Sequence, residues 1–342
     1  MNPPSQSGRL RVRPELILAL FLVAEFILFS ATGRNFLQAD NLANIVRHSI
    51  EIGLLALVMM PVILTGGIDL SVGSLLGLCA VLFGKMVQDA GLSPLVAGGI
   101  TLLIGGVAGG FNALLITRLR LPPLIVTLGT FSLFRGLAEA ITKGTATYSK
   151  FPETFLALGS ATFLGLPMQA WIFVAVAGVI WILVHRTTFG RSWRAIGFSP
   201  EGARYAGLPV ERRLAFAYVM AGVVAALAAI ILTARVTQAR ADAGTGYELL
   251  AITAVVLGGT SIFGGTGSIH GTLLGVAAIA VLKNGLACLP VVMRMNAAEE
   301  MSGLLTGALL LLALTGSVLP KLLSQWRSHR QSAVPLSPKT SS

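Results

Sequence analysis

Long apolar runs alternate with short polar connections along almost the whole chain of 342 residues. A helix needs about 20 predominantly apolar residues to cross the hydrocarbon core of a bilayer. Ten runs meet or approach this length. They are residues 16–33, 50–65, 69–84, 93–117, 121–142, 168–184, 214–234, 249–263, 266–282 and 301–319. The pattern therefore predicts an all-α polytopic membrane protein with about ten transmembrane helices.

Two stretches rich in glycine and small hydroxyl residues, 65–74 and 257–268, interrupt the shorter spans and form a faint internal echo. Transporters often carry broken helices in corresponding halves, and the breaks line the substrate path. Chance similarity between glycine-rich stretches is the alternative. On the first interpretation, residues of both breaks line a translocation path. These residues are Gly66, Gly67, Asp69, Ser71, Gly73, Gly258, Gly259, Gly264 and Gly265.

Composition and charge support a membrane location. Only 11% of the residues are charged and 54% are hydrophobic, whereas a soluble domain carries about 25% charged residues. The net charge of +11 would suggest nucleic acid in a soluble protein, but here the positive residues are explained as topology signals and lipid contacts. With the N-terminus inside, fifteen Lys and Arg residues fall on the inner side and nine on the outer side. This predicts cytoplasmic tails at 1–15 and 321–342 around one membrane domain, 16–320.

The longest predicted inner loop, 185–213, contains a short capped helix at 199–207. Ser199 suits the N-cap, Glu201 suits the first turn, and Gly207 can end the helix in a left-handed conformation. A helix this short is not stable alone, so we expect it to dock on a partner, although an ordinary solvated loop is the alternative. The small residues Gly202, Ala203, Ala206 and Gly207 would let it fit a groove in that partner.

Four ionisable residues fall at membrane depth: Glu25, Asp69, Arg135 and Glu139. Charges in the bilayer core are costly, so each is a functional candidate. Asp69 precedes an apolar helix, and we expect it to cap that helix rather than to contact substrate. Arg135 and Glu139 are four residues apart on one predicted helix and could pair.

A second glycine pattern lies in the fourth predicted span. Gly105 and Gly109, and likewise Gly106 and Gly110, are spaced as small-xxx-small motifs that let helices approach closely. Packing within the chain is the favoured use, and dimerisation is the alternative.

The sequence predicts no catalytic residue, no metal site and no cofactor. Its four histidines are far apart without metal-ligand spacing, and its two cysteines, Cys79 and Cys288, lie in apolar stretches that suggest packing. No glycine-rich stretch carries the Lys of a phosphate-binding loop. If transport is driven by ATP, another subunit must therefore bind the nucleotide.

Four motifs resemble the sugar permeases of ribose-type bacterial ABC importers. They are the runs 64–74, 123–130 and 251–269, and the loop signature at 189–191 followed by 203–207. The resemblance covers roughly 15–320. Glu25 and the runs 165–167 and 239–242 are most similar to the autoinducer-2 import permeases within that family, and rhamnose and ribose permeases remain alternatives.

The resemblance implies an inner-membrane permease subunit that carries a small, neutral sugar-like molecule. Its partners would be a second permease, a cytoplasmic ATPase and a periplasmic solute-binding protein. The family's ATPase-coupling loop matches Ser199, Glu201, Ala203, Arg204 and Gly207. The main alternative is an ion-coupled secondary transporter, which would need titrating acids at the bilayer midplane. A membrane enzyme is a weaker alternative because no catalytic cluster is present.

Overall fold

The computed structural model describes residues 14–295, 300–312 and 315, most of which are helical. The first seven helices are α1 Pro14–Thr32, α2 Ala39–Leu64, α3 Val72–Gln88, α4 Pro94–Thr117, α5 Pro123–Thr142, α6 Glu153–Ser160 and α7 Met168–Arg186. The others are α8 Thr188–Phe198, α9 Pro200–Tyr205, α10 Val210–Val236, α11 Tyr247–Leu257, α12 Ile269–Ala287, α13 Pro290–Met295 and α14 Glu300–Leu312. A two-residue antiparallel hairpin, β1 Thr162–Phe163 and β2 Leu166–Pro167, precedes α7.

Ten of these helices fall on the predicted spans. Among the described residues, seven helices are long and apolar enough to cross a membrane: α1, α2, α4, α5, α7, α10 and α12. Three shorter apolar helices, α3, α11 and α14, overlap the predicted spans 69–84, 249–263 and 301–319. The all-α polytopic fold is confirmed, and full crossing by the three shorter helices remains a prediction.

Helix α2 begins at Ala39 and not at residue 50 as predicted. Its first part is polar and was taken for an outer loop. The structure supplies the missing partners from distant helices: Asn41 and Asn284 of α12 exchange two side-chain hydrogen bonds of 2.9 and 3.0 Å. Because these two amides supply each other's hydrogen-bond partners, polar residues can form the first part of α2, before residue 50.

The second glycine-rich stretch, predicted at 257–268, lies almost wholly outside helices, so the connection between the predicted spans 249–263 and 266–282 is longer than those spans implied. Helix α11 ends at Leu257 and α12 begins at Ile269, so the break covers 258–268. Three further helices among the described residues, α6, α8 and α13, were not predicted, because they are too short to span a membrane. Helix α8 leads directly into α9.

The core forms around α2, whose residues 50–64 are all buried. The closest helix pair is α4 and α10, where glycines allow backbone contact. A Cβ at Gly109 would collide with the carbonyl of Tyr218, and one at Gly222 with that of Gly105. The Gly105/Gly109 face therefore packs inside the chain, as favoured from the sequence, and this pair of glycines is not free for dimerisation.

Candidate functional site

The two glycine-rich breaks, although almost 200 residues apart in sequence, touch each other. The first break, 65–71, joins α2 to α3, and the second, 258–268, joins α11 to α12. The backbone N–H of Gly265 donates to the carbonyl oxygen of Leu64 at 2.9 Å. A Cβ at Gly264 would stand 2.8 Å from the backbone nitrogen of Gly66. The internal echo thus corresponds to two neighbouring chain segments that only small residues can bring so close.

Glycine is needed at two of these positions for backbone reasons as well. Gly66 ends α2 with φ +84°, and Gly264 turns the second break with φ +84°. This left-handed region is costly for residues that carry a Cβ. The turns and the close contact therefore explain the glycine content of the breaks.

Helix α8 completes this contact from outside the bundle. Gly197 lies against both breaks: a Cβ there would collide with the carbonyl oxygen of Leu64 and the backbone nitrogen of Gly265. Gly197 lies two residues before the helix predicted to dock on a partner, 199–207, so α8 makes the backbone contact at both helix interruptions and α9 follows it directly. A displacement of α8 would shift both breaks together, because backbone atoms packed this closely cannot move independently.

Asp69 acts as a hydrogen-bond acceptor just before α3, as favoured from the sequence, although Ser71 and not Asp69 occupies the N-cap position of that helix. Its Oδ1 accepts hydrogen bonds from the backbone N–H of Ser71 at 2.9 Å and from the Ser71 hydroxyl at 2.6 Å. Asn112 of α4 donates to the same hydroxyl at 2.8 Å, and Thr127 of α5 donates to the carbonyl of Ile68 at 3.0 Å. Sequence reasoning missed Asn112 and Thr127, although Asn112 is the one amide within the apolar run of α4.

This geometry predicts different outcomes for two substitutions at Asp69. Asp69→Asn keeps an acceptor oxygen for Ser71, so the free energy of unfolding should change by less than about 1 kcal/mol. Asp69→Leu leaves the buried Ser71 N–H and hydroxyl without their acceptor, at a cost of about 1–3 kcal/mol each. Thermal unfolding of the purified protein in detergent measures the difference. A Leu variant as stable as the wild type would contradict the capping role.

The predicted path residues are mostly packed against protein. A Cβ at Gly73 would collide with the carboxylate of Glu248, and one at Gly258 with the backbone of Gly271. None of the nine residues predicted to line a path lines the cavity of about 610 Å³ that the bundle contains. Their role in translocation stays a prediction, and the contacts that the structure shows for them are with other parts of the chain.

The charged residues at membrane depth are paired differently from the prediction. Arg135 of α5 does not form an ion pair with Glu139 among the described residues; its Nη1 donates to the carbonyls of Ala241 and Ala243. The i, i+4 pairing is therefore wrong, because the loop after α10 offers the guanidinium carbonyl oxygens. Glu25 is buried in α1, and no hydrogen-bond partner for its carboxylate is present among the described residues.

An additional buried ion pair was missed from the sequence. Glu51 of α2 is fully buried and accepts from Nε of Arg235 at 2.7 Å. His48, one turn earlier, lies with its Nδ1 at 2.9 Å from Nη1 of the same arginine. Arg235 had been placed in an outer loop, and Glu51 at the very edge of a predicted span, so neither suggested a partner.

Helix α9 has the caps predicted for it. The hydroxyl of Ser199 accepts from the backbone N–H of Gly202 at 3.0 Å, and Gly207 adopts φ +78°. Glu201 is exposed, and Arg204 forms a 2.9 Å ion pair with Glu211 at the start of α10.

Ala203 is the exception in α9. It was expected to enter a partner's groove, but it is buried in a small cluster of this chain with Ile196 and Val210. A six-residue helix must pack one side on its own protein to be stable. The surface that remains for a partner carries two exposed aromatic residues instead, Phe198 (88% exposed) and Tyr205 (92% exposed).

The chain has the features of a multi-pass membrane protein of the transport class. It combines many apolar helices, paired glycine-rich breaks and an exposed segment that contacts both breaks. Residues 41–314 match the family described as branched-chain amino acid transport system / permease component, and the chain belongs to this family. The resemblance predicted from the glycine-rich motifs is confirmed. No solved structure matches the chain.

Curated relatives are similar over nearly the full length. The autoinducer 2 import system permease protein LsrD of Yersinia pseudotuberculosis serotype O:1b is 40% identical over 326 residues, which cover 93% of this chain and 96% of the relative. The LsrD of Yersinia enterocolitica is 39% identical over 328 residues, covering 94% and 97%. The LsrD of Yersinia pestis strain Pestoides F is 39% identical over 326 residues, covering 93% and 96%.

Proposed function

We propose that this chain is the inner-membrane permease subunit of an ABC importer that carries autoinducer-2 or a similar small, neutral, sugar-like molecule. The observation that carries the proposal is the near full-length identity of about 40% to permeases named for autoinducer-2 import. Rhamnose and ribose are the alternative substrates. ATP hydrolysis occurs in a separate cytoplasmic subunit, a periplasmic protein delivers the solute, and a second permease, identical or related, completes the membrane part.

Transport by a chain without its own nucleotide site needs a surface through which a partner can act. The α8–α9 segment supports this role, because it exposes Phe198 and Tyr205 while Gly197 contacts both breaks. Large aromatic side chains are enriched where protein interfaces are strongest. In this proposal, ATPase closure moves α8, and α8 shifts α2–α3 and α11–α12 together.

The proposed topology places both termini and the α8–α9 segment in the cytoplasm, as the excess of Lys and Arg on that side favours. A reporter that is active only in the periplasm, fused after Lys321, should therefore give no signal. Lys321 lies outside the described residues. The same reporter inserted after Thr145, in the loop that follows α5, should give strong signal. The reverse pattern would overturn the orientation.

Tyr205 offers a direct test of the docking surface. Tyr205→Ser should weaken binding of the ATPase by roughly 30-fold, the loss of about 2 kcal/mol typical of an aromatic anchor. Co-purification of the ATPase with the tagged permease measures this. Phe163→Ser is the matched control, since Phe163 is also exposed but lies in the β1–β2 hairpin before α7. An unchanged Tyr205→Ser complex would show that the ATPase docks elsewhere. Ala203→Glu would be a poor test, because it would bury a charge within the chain itself.

The transport proposal is tested in the native host. Deleting the gene should stop removal of autoinducer-2 from the medium, and a plasmid copy should restore it. Unchanged autoinducer-2 uptake together with lost growth on D-ribose or L-rhamnose would move the substrate assignment to that sugar. Unchanged uptake of all three would contradict the proposed function.

A further inference from the structure

The bundle contains a cavity of about 610 Å³ at the end remote from the two breaks. Helices α2, α11, α12 and α14 surround it, and its walls include His48, Ser49, Thr253, Asn284 and Thr306. His48 and Leu64 are separated by sixteen residues of α2, which is about 24 Å at 1.5 Å per residue. Its volume lies within the roughly 300–1,000 Å³ that is usual for small-molecule sites.

His48 in the cavity wall can donate a hydrogen bond, because its contact with Arg235 fixes its tautomer. Nη1 of Arg235 lies 2.9 Å from Nδ1 of His48, and a guanidinium can only donate, so Nδ1 must accept. The proton of the neutral imidazole then resides on Nε2, which leaves an N–H donor on a residue that lines the cavity. The carboxylate of Glu51 binds the same arginine at 2.7 Å and is not among the lining residues.

The part of the wall that α14 forms contains an unsatisfied hydroxyl. Thr306 of α14 is only 5% exposed, yet its Oγ1 has no hydrogen-bond partner among the described residues. Threonines in helices usually bond the carbonyl four residues earlier, as Thr253 of α11 does with Leu249 at 2.7 Å. A buried hydroxyl without a partner costs about 1–3 kcal/mol. A ligand that bonds this hydroxyl would relieve that cost.

The residues that line the cavity indicate which class of ligand it could bind. The described lining residues contain no Asp or Glu, and Lys283 carries their only formal charge. Ser49, Thr253 and Asn284 also line the cavity among apolar side chains of α2 and α12. Their donors already bond Val46, Leu249 and Asn41 within the chain, so they offer a ligand mainly acceptor lone pairs. Such a lining offers a cation no counter-charge, and it fits a molecule with several oxygens and an apolar ring face.

We propose that this cavity is a solute-binding site within the single permease chain, and that it takes a small, neutral, polyhydroxylated molecule. The proposal rests on the proposed transport function. Under the proposed topology the cavity opens toward the periplasmic half, where a solute-binding protein would release its cargo. The solute would bond His48 and Thr306 there before the breaks at the other end let it pass.

Cysteine protection tests the site without relying on uptake. Ser49→Cys, made together with Cys288→Ser, puts a near-isosteric thiol in the cavity wall, and Cys79 is buried. The full chain in nanodiscs is alkylated with a small water-soluble maleimide, with and without 10 mM autoinducer-2, D-ribose or L-rhamnose. At least one of these should slow labelling of Cys at position 49 about fivefold or more. The labelling rate follows the fraction of free sites, which is small when the ligand concentration exceeds its Kd about fivefold. A thiol at exposed Thr145, introduced by Thr145→Cys, is the control and should label at an unchanged rate.

A second variant tests the assigned contact. Thr306→Val keeps the shape and removes only a hydroxyl without a partner, so the protein should fold as before, and the protecting ligand should bind about tenfold more weakly, the effect of one lost hydrogen bond. Equal protection in Thr306→Val would contradict the role of Thr306. If no sugar protects position 49 while the host still imports autoinducer-2, the cavity proposal is wrong and the transport function stands. If autoinducer-2 is not imported but a sugar protects, the substrate assignment is wrong and the cavity stands.

Discussion

Gly197→Ala is expected to reduce uptake at least tenfold, although alanine is the better helix former. In an exposed helix, Gly→Ala stabilises by about 1 kcal/mol. At position 197 the new methyl would collide with the carbonyl of Leu64 and the nitrogen of Gly265. Backbone atoms cannot rotate away as a side chain can, so α8 must move off the breaks at a cost of about 1–3 kcal/mol or more. The contact between the α8–α9 segment and both breaks would then be lost.

Gly178→Ala is the matched control for this experiment. Gly178 lies in α7, is exposed, and has open space where a Cβ would be added. Uptake and the amount of protein in the membrane should stay at wild-type values. Both variants are compared by quantitative blot of the membrane fraction and by the rate of solute uptake per molecule. Wild-type uptake by Gly197→Ala would show that the close contact is not needed for transport.

Glu51→Leu is expected to lower the free energy of unfolding by about 3 kcal/mol, because it leaves the guanidinium of Arg235, whose side chain is only 12% exposed, without its counter-charge. Glu51 is fully buried, and the two side chains meet at 2.7 Å. The double variant Glu51→Leu with Arg235→Leu should recover much of the lost free energy of unfolding, because no charge is then left without its partner. Denaturant unfolding in mixed micelles measures all three proteins.

An exposed ion pair provides the comparison for Glu51. Lys85 and Asp89 are four residues apart at the end of α3, 3.1 Å from each other, with side chains about half exposed. Asp89→Leu should therefore cost less than about 1 kcal/mol. If Glu51→Leu costs no more than Asp89→Leu, or if the double variant is no better than the single one, the buried pair is not a structural element of the bundle.

The sequence predicted those features that depend on local composition. Apolar run length located the ten apolar helices that overlap predicted spans, and the glycine clusters located both breaks. Ser199 and Gly207 identified α9 through cap chemistry, which requires only neighbouring residues. The same locality explains why Asp69 could be predicted to accept from the backbone just ahead of it, since its donor Ser71 is only two residues away.

Features that depend on distant partners could not be predicted in this way. The polar start of α2 resembled a loop until Asn284 and Arg235 supplied partners more than 180 residues away. Arg135 had an acid four residues along its own helix, yet the carbonyls after α10 satisfy it. Ala203 faces inward because Ile196 and Val210 surround it. A single sequence shows none of these pairings.

The energy source of transport is the most decisive property to measure. We propose that a separate ATPase drives this permease through the α8–α9 segment, and uptake of autoinducer-2 by cells that express the chain with its partners tests this most directly. Uptake should stop when ATP is depleted, and it should continue in the presence of an uncoupler as long as ATP is maintained. Uptake that collapses with the uncoupler at constant ATP would identify an ion-coupled transporter and contradict the account.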